Sequence, residues 1–195
     1  MSENNSQYDV IVIGAGVAGL YQLFKLRQLK LKALVIEAGD NVGGTWYWNR
    51  YPGARFDSES WSYGYSFSKE LFEEWDWPEH FAAQPDTLRY LNYVADKFDL
   101  RRDIKFDRRV EASVFDQENN LWTVRTNTKE EYVARFLITA LGPLSAFTLP
   151  NIEGRETFKG PAYHTARWPH EEVDFSGKRV GIIGTGACAI QTIQT

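Results

Sequence analysis

Residues 8–37 constrain the fold more than any other part of the chain. They begin with a short apolar run at residues 9–13, which is typical of a buried parallel strand. A Gly-x-Gly-x-x-Gly pattern follows directly, and apolar residues then recur at helical spacing as far as Lys30. A second strand, Ala33–Ile36, ends in an acidic residue, Glu37. This order predicts a βαβ unit of the kind that binds dinucleotides.

Each fixed position of this unit has a physical role in binding a dinucleotide. Gly14 permits a tight turn, Gly16 lets the backbone approach a pyrophosphate at the helix N-terminus, and Gly19 allows close packing of helix and strand. Glu37 can accept hydrogen bonds from a ribose 2′-hydroxyl group and would repel a 2′-phosphate, so this site is not expected to hold NADP. A glycine-rich turn in an ordinary α/β protein is the alternative, and the flanking strands and distal acid disfavour it.

The composition excludes several classes of protein. The chain has 195 residues, of which 43% are hydrophobic, enough for one large domain or one and a half. A formal net charge of −4 gives no basic surface for nucleic acid or an anionic membrane. The single cysteine, Cys188, fits a reducing compartment, and the polar N-terminus does not resemble a signal peptide. No apolar run reaches about eighteen residues, so we expect a cytoplasmic protein. We also expect no metal site.

The middle of the chain predicts further elements. Residues 46–81 are rich in aromatic side chains, most of which are expected to serve packing. Residues 85–100 predict an amphipathic helix. Strands are predicted at residues 109–115, 121–126 and 132–135, forming an antiparallel meander, and a separate buried strand at 136–140. A linker carrying Pro150 follows, so we expect one domain over residues 1–150 and a connector with the start of a second domain over 151–195.

A second dinucleotide pattern lies near the end of the sequence. Residues 178–183 predict a strand, and residues 184–189 then repeat the glycine pattern with alanine in its third position, which the pattern tolerates. Gly184 and Gly186 are the candidate phosphate contacts. The residue that would read the second ribose does not occur before Thr195, so we expect a truncated chain. Cys188 begins the second helix and is expected to pack, because no base lies near it in sequence.

A glycine pair, Gly43-Gly44, resembles the FAD-binding proteins of the glutathione-reductase type. There the pair lets the backbone run beside the flavin end of the cofactor, whereas NAD dehydrogenases generally lack it. The resemblance implies FAD at the first site and a Rossmann-like α/β domain with an inserted antiparallel β meander, followed by the start of a second Rossmann-like domain that binds NADPH. The residues expected to contact FAD are Gly14, Gly16, Gly19, Glu37, Gly44, Thr45, Trp46, Asp57 and Val110.

Two longer patterns resemble one family. Residues 158–169 match the fingerprint of the Baeyer–Villiger monooxygenases, Phe-x-Gly-x-x-x-His-x-x-x-Trp-Pro, at every fixed position. Those positions are Phe158, Gly160, His164, Trp168 and Pro169. A second family pattern, Gly44-x-Trp46 followed by Tyr51-Pro52-Gly53 and Asp57, is also complete. The chain therefore resembles the N-terminal portion of these enzymes. Residues 43–65 are similar to the corresponding segment of the enzymes that oxidise cyclic ketones, such as cyclohexanone monooxygenase.

The resemblance implies a reaction and roles for particular residues. NADPH would reduce FAD, and one oxygen atom of O2 would be inserted beside a ketone carbonyl to give an ester or lactone. Asp57 is the implied catalytic residue, because this acid pairs in the family with an active-site arginine that would lie after residue 195. His164 and Trp168 are tied to domain movement on NADPH binding. His80 and His170 have no motif around them and are interpreted as surface residues.

Three alternatives stay open. Related flavin monooxygenases that act on nitrogen or sulfur also have two dinucleotide sites. An FAD-dependent NAD(P)H reductase that passes electrons to a disulfide should carry a Cys-x-x-Cys motif, and this chain has one cysteine. The chain alone is also compatible with an FAD-binding module that has no activity.

Overall fold

The computed structural model describes residues 7–195, and within them six strands form one sheet in the order β3-β2-β1-β6-β5-β4. The strands are β1 (Gln7–Ile13), β2 (Ala33–Ile36), β3 (Ile104–Lys105), β4 (Val110–Asp116), β5 (Leu121–Thr126) and β6 (Glu131–Thr139). The helices are α1 (Val17–Gln28), α2 (Thr45–Trp48), α3 (Ser60–Tyr63), α4 (Lys69–Glu74), α5 (Gln84–Lys97) and α6 (Ala187–Ile193). Single 3₁₀ turns cover Arg101–Asp103, Arg155–Thr157 and Thr165–Arg167.

The parallel half of the sheet confirms the predicted βαβ unit. β1 pairs in parallel with β2 on one side, with Val10 opposite Ala33, and with β6 on the other. All four residues of β2 are buried, as expected for a strand covered on both faces. β3 adds two residues beside β2 and was not predicted, because so short a strand has no periodic signal.

The antiparallel half confirms the predicted meander but corrects its last strand. β4, β5 and β6 pair antiparallel in sequence order. The two strands predicted at 132–135 and 136–140 are one strand, β6, which pairs with β1 from Val133 as far as Thr139. β5 pairs with β6 only as far as Ala134. Phe136 lies after that pairing and is 55% exposed, not buried as predicted.

The prediction of a strand at residues 178–183 is wrong. No strand of the described chain pairs with this segment, and a β-strand exists only through hydrogen bonds to a neighbour. The apolar side chains that suggested a buried strand, Val180, Ile182 and Ile183, are exposed. The predicted helix at 85–100 is confirmed as α5, with Leu91 and Val94 buried on its apolar face.

The described residues divide into two compact units. The first, up to Tyr47 together with Tyr90–Gly142, contains the sheet and a core that includes Ile11, Leu34 and Val124. The second, Trp48–Arg89 with Pro143–Thr195, contains most of the aromatic segment, the connector and α6. The domain boundary at residue 150 remains a prediction. Among residues 7–195 there is no helix of the length and apolar character that crossing a bilayer requires.

Candidate functional site

The first glycine motif forms a tight loop between β1 and α1. Gly14 has a φ of +102°, and a Cβ there would lie 2.7 Å from the carbonyl oxygen of Ala140. On α1, a Cβ at Gly19 would lie 1.8 Å from the carbonyl oxygen of Gly14, so any side chain would push the helix away. The expected turn and close packing are therefore present. The first N–H groups of a helix lack intrahelical partners, which makes this end of α1 suitable for a phosphate.

The glycine pair after β2 lies directly against this loop. The Gly43 N–H donates to the carbonyl oxygen of Ala15 at 3.0 Å. A Cβ at Gly44 would lie 2.7 Å from the Cα of Gly16, so the two backbones meet with no side chain between them. Thr45 and Trp46 begin α2 immediately afterwards. This bare cradle fits the close approach that a dinucleotide pyrophosphate requires.

Glu37 holds the two loops together. Its carboxylate is buried at the end of β2, with 4% of the residue exposed. Oε2 accepts a hydrogen bond from the Ala15 N–H at 2.7 Å, and Oε1 accepts one from the Gly39 N–H at 2.8 Å. A carboxylate has roughly four acceptor positions, so capacity remains for the ribose hydroxyl group that the sequence predicts.

The second glycine motif repeats the backbone geometry of the first. Gly184 has a φ of +124°, in the same positive region as Gly14. Gly186 precedes α6 with φ −79° and ψ 178°, and Gly16 precedes α1 with φ −78° and ψ −166°. The local sequence therefore forms a second glycine loop of the same backbone geometry even though residues 178–183 are not paired in a sheet, and its contact with a phosphate stays a prediction.

Asp57 is exposed and is held by a residue that the sequence did not single out. The Gln191 Nε2 donates to Asp57 Oδ1 at 3.3 Å and to the carbonyl oxygen of Arg55 at 3.0 Å. The Tyr51 hydroxyl donates to Gln191 Oε1 at 2.7 Å. Burial, together with the neighbouring Cys188 thiol and the Asp57 carboxylate, raises the pKa of Tyr51, so the phenol remains a donor. A glutamine shortly after a glycine motif is the only signal for Gln191 in the sequence.

The fingerprint residues lie on a largely exposed connector and make local contacts with one another and with their neighbours. The Phe158 ring lies over Gly160, where a Cβ would be 2.7 Å from its Cζ. His164 accepts a hydrogen bond at Nδ1 from the Ala166 N–H at 3.1 Å and so caps the 3₁₀ turn that follows. Its ring also lies 4.6 Å from that of Phe147, between centroids. These contacts order the segment, and the role of His164 in domain movement stays a prediction.

Arg167 and Trp168 complete the connector. The Arg167 guanidinium lies over the rings of Phe147 and Trp48, 4.9 and 5.7 Å from their centroids. Trp168 precedes Pro169 and packs against Tyr163, with 5.3 Å between ring centroids. Cation–π and aromatic contacts of this kind fix side-chain orientation in addition to burying area.

The remaining predicted residues lie elsewhere. Val110 begins β4 and packs against the sheet core, so its contact with FAD stays a prediction. His80 and His170 are exposed, as expected. Cys188 is half-buried beside the Tyr51 hydroxyl, which agrees with a packing role. Within residues 7–195 no three His, Cys, Asp or Glu side chains cluster as metal ligands would.

Comparison with known proteins decides the family. The family model described as "Pyridine nucleotide-disulphide oxidoreductase" matches residues 11–193. The chain belongs to the pyridine nucleotide-disulphide oxidoreductase family. Its relatives include Baeyer–Villiger and other monooxygenases, which confirms the resemblance to the N-terminal portion of the Baeyer–Villiger enzymes.

Three curated relatives illustrate this. The chain is 51% identical over 191 residues to 2-oxo-Δ3-4,5,5-trimethylcyclopentenylacetyl-CoA monooxygenase of Pseudomonas putida, covering 95% of the chain and 35% of the relative. It is 47% identical to a Baeyer–Villiger monooxygenase of Pseudooceanicola batsensis (96% and 34% covered) and 45% identical to a phenazine N-monooxygenase of Lysobacter antibioticus (99% and 36% covered). The chain thus spans about a third of the length of the curated relatives it matches.

Solved structures agree with the sequence relatives and confirm the Rossmann-like fold with its meander. The closed crystal structure of cyclohexanone monooxygenase matches with a TM-score of 0.93 and 43% identity, covering 98% of this chain and 36% of that one. The complex of OTEMO with FAD and NADP matches with a TM-score of 0.90 and 50% identity, covering 95% and 36%.

Proposed function

We propose that the chain is the FAD-binding part, and the beginning of the NADPH-binding part, of a Baeyer–Villiger monooxygenase. Such an enzyme inserts one oxygen atom of O2 beside a ketone carbonyl to give an ester or a lactone. The observation that carries the proposal is the joint presence of both complete family patterns and two glycine loops of matching backbone geometry. The likeness to cyclohexanone monooxygenase supports cyclic ketones as the substrates.

The residues present fit both cofactors. The bare backbone at Gly16 and Gly44, with the adjoining end of α1, would hold the FAD pyrophosphate, and Glu37 would accept a ribose hydroxyl group. Gly184 and Gly186 would hold the NADPH pyrophosphate. FAD, once bound, supplies the redox and oxygen chemistry, and the protein supplies binding and orientation. The fit of this cradle is supported by the OTEMO structure, which is a complex with FAD and NADP.

Asp57 would act through electrostatics. An oriented carboxylate fixes the position and moderates the charge of a neighbouring guanidinium, which in the family resemblance is an active-site arginine. The side chain is exposed, and its hydrogen bond to Gln191 limits its orientations. Asp57 would thus keep a cationic partner aimed at the oxygenation site.

The other oxidoreductase activity that the family name suggests is less well supported. Reduction of a disulfide through the flavin commonly uses a pair of cysteines, and this chain has Cys188 alone, half-buried. The same single cysteine is compatible with a cytoplasmic location. We therefore propose O2, a small ketone and NADPH as the reaction partners.

The test is product formation by the complete polypeptide that carries this sequence. The purified yellow protein is incubated with NADPH, air and a panel of cyclic and linear ketones, and products are separated by gas chromatography. The expected result is an ester or lactone together with NADPH consumption. Formation of no ester from any ketone would refute the proposal.

Oxygenation of nitrogen is the second candidate function. It is favoured by the 45% identity to a phenazine N-monooxygenase. The same assay therefore includes phenazine and a thioether. Products oxygenated only at nitrogen or sulfur would select this alternative.

A further inference from the structure

Gln191 links the second glycine loop to the loop that carries Asp57. α6 begins immediately after Gly186, and Gln191 is the fifth residue of the helix, so its position depends on how that loop is held. Only 9% of the residue is exposed, which is unusual for a glutamine. The hydrogen bonds of its amide join it to residues within 51–57.

The orientation of the Gln191 amide is fixed by its surroundings. The Tyr51 hydroxyl donates a hydrogen bond to the amide oxygen at 2.7 Å. The amide nitrogen must then point toward the two acceptors, Arg55 O and Asp57 Oδ1. Reversal of the amide would turn its oxygen toward these two acceptors and leave both without their donor, which disfavours the reversed orientation.

The family pattern in residues 51–57 also makes room for α6. A Cβ at Gly53 would lie 2.3 Å from the carbonyl oxygen of Gln191, and Gly53 has a φ of +76°. Three fixed positions of the pattern therefore contact Gln191, two of them its side chain and one its carbonyl oxygen. Tyr51 contributes a hydroxyl group, Gly53 the absence of a side chain, and Asp57 a carboxylate.

We propose that Gln191 is a positioning residue that sets the orientation of Asp57 for oxygenation, and that residues 51–57 form the surface on which α6 docks. This inference rests on the proposed monooxygenase function. An exposed aspartate on a loop samples several rotamers, and a hydrogen bond from a buried amide reduces them. Movement of the second glycine loop would be transmitted along α6 to Asp57 through this single side chain.

Two substitutions separate the donor and acceptor roles of Gln191 in the complete polypeptide. Gln191→Met keeps the approximate volume and removes every hydrogen bond. Gln191→Glu keeps an acceptor for Tyr51, removes both donors and places a second carboxylate beside Asp57. Gln194→Met, three residues later and exposed, is the matched control. FAD content, flavin reduction by NADPH, and the partition of oxygen between ester and hydrogen peroxide are measured for each.

The expected result is a change in partition without loss of FAD. Ester formed per NADPH should fall roughly threefold to tenfold in both Gln191 variants, the factor that corresponds to losing the hydrogen bond that orients Asp57, with peroxide rising correspondingly. Gln194→Met should match the parent. If Gln191→Met fails to retain FAD, Tyr51→Phe takes its place, because it removes only the hydroxyl that orients the amide. A smaller fall in ester formed per NADPH is then expected.

A parental partition in Gln191→Glu would overturn the proposal, because a residue that only anchors α6 through Tyr51 would tolerate that change. A fall of equal size in Gln194→Met would also overturn it, since the effect would then be general to the helix end. Absence of ester from the parent itself would instead refute the monooxygenase function, and with it the role of Gln191.

Discussion

Glu37 provides the sharpest test of the first cofactor site. Its two carboxylate oxygens accept hydrogen bonds from the Ala15 and Gly39 N–H groups at 2.7 and 2.8 Å, in an environment where the residue is 4% exposed. Glu37→Gln keeps the size and shape of the side chain but replaces one acceptor oxygen with an NH2 group. One of the two backbone N–H groups must then face another donor.

The magnitude follows from these contacts. A buried donor that loses its acceptor costs about 1–3 kcal/mol of unfolding free energy. For a folding unit of about 150–250 residues each kcal/mol lowers the melting temperature by roughly 2–4 °C, so we expect a fall of about 2–12 °C. The same change removes an anionic acceptor from the expected ribose contact, so FAD affinity should fall by roughly tenfold or more.

The assay compares Glu37→Gln with Glu118→Gln. Glu118 lies in the exposed turn between β4 and β5, so the same chemical change should alter the free energy of unfolding by less than about 0.5 kcal/mol. Thermal unfolding is followed by circular dichroism, and FAD affinity by flavin fluorescence during titration. If Glu37→Gln melts with the control and retains FAD like the parent, the buried carboxylate does not hold the loops together and does not read the ribose.

Two further predictions concern the enzyme assembled from the complete polypeptide. Asp57→Ala should keep FAD but lower ketone oxygenation by roughly tenfold or more, with peroxide released in place of lactone, and full lactone yield would contradict its role. His164→Ala should keep FAD and slow flavin reduction by NADPH, whereas His164→Asn, which retains an acceptor for the Ala166 N–H, should be less affected. Stopped-flow absorbance measures that rate, and an unchanged rate in His164→Ala would remove the residue from the mechanism.

Local signals were sufficient to predict the elements around the first cofactor site. β2 and β5 have the predicted bounds, because each is a short run of β-forming residues ended by polar or turn residues. The glycine loop was equally predictable, because the close packing of Gly19 against Gly14 lies within the βαβ unit itself. In these segments the deciding constraints are set by residues close in sequence.

Tertiary pairing decided the elements that sequence reasoning missed or misjudged. Residues 178–183 have a strand-like composition, but no neighbour pairs with them in the described chain. β3 consists of two residues and exists only because Ile104 and Lys105 pair with the end of β2. Gln191 meets Tyr51 across a separation of 140 residues, and no local pattern encodes such a contact. The family pattern identified Asp57 as a candidate site residue, but its hydrogen bond to Gln191 was not predictable from the sequence.

Gly53 offers a test of helix docking in which the backbone penalty can be subtracted. Gly53→Ala places a left-handed φ of +76° on a residue with a side chain and also brings its Cβ to 2.3 Å from the Gln191 carbonyl oxygen. Gly177→Ala is the matched control, because Gly177 has a φ of +69° and a Cβ there would meet nothing within 4 Å. Both variants should lose about 1–2 kcal/mol of unfolding free energy from the left-handed conformation.

Only Gly53→Ala must also displace α6, which should add about 1–3 kcal/mol, the usual range for overpacking. Denaturant unfolding gives the two free energies, and amide hydrogen exchange shows whether the protection of α6 falls in Gly53→Ala alone. Backbone carbonyl groups cannot rotate out of the way as a flexible side chain can, so the added loss measures the docking contact directly. Equal losses in the two variants, with α6 protected in both, would mean that the helix does not depend on the loop at residues 51–57.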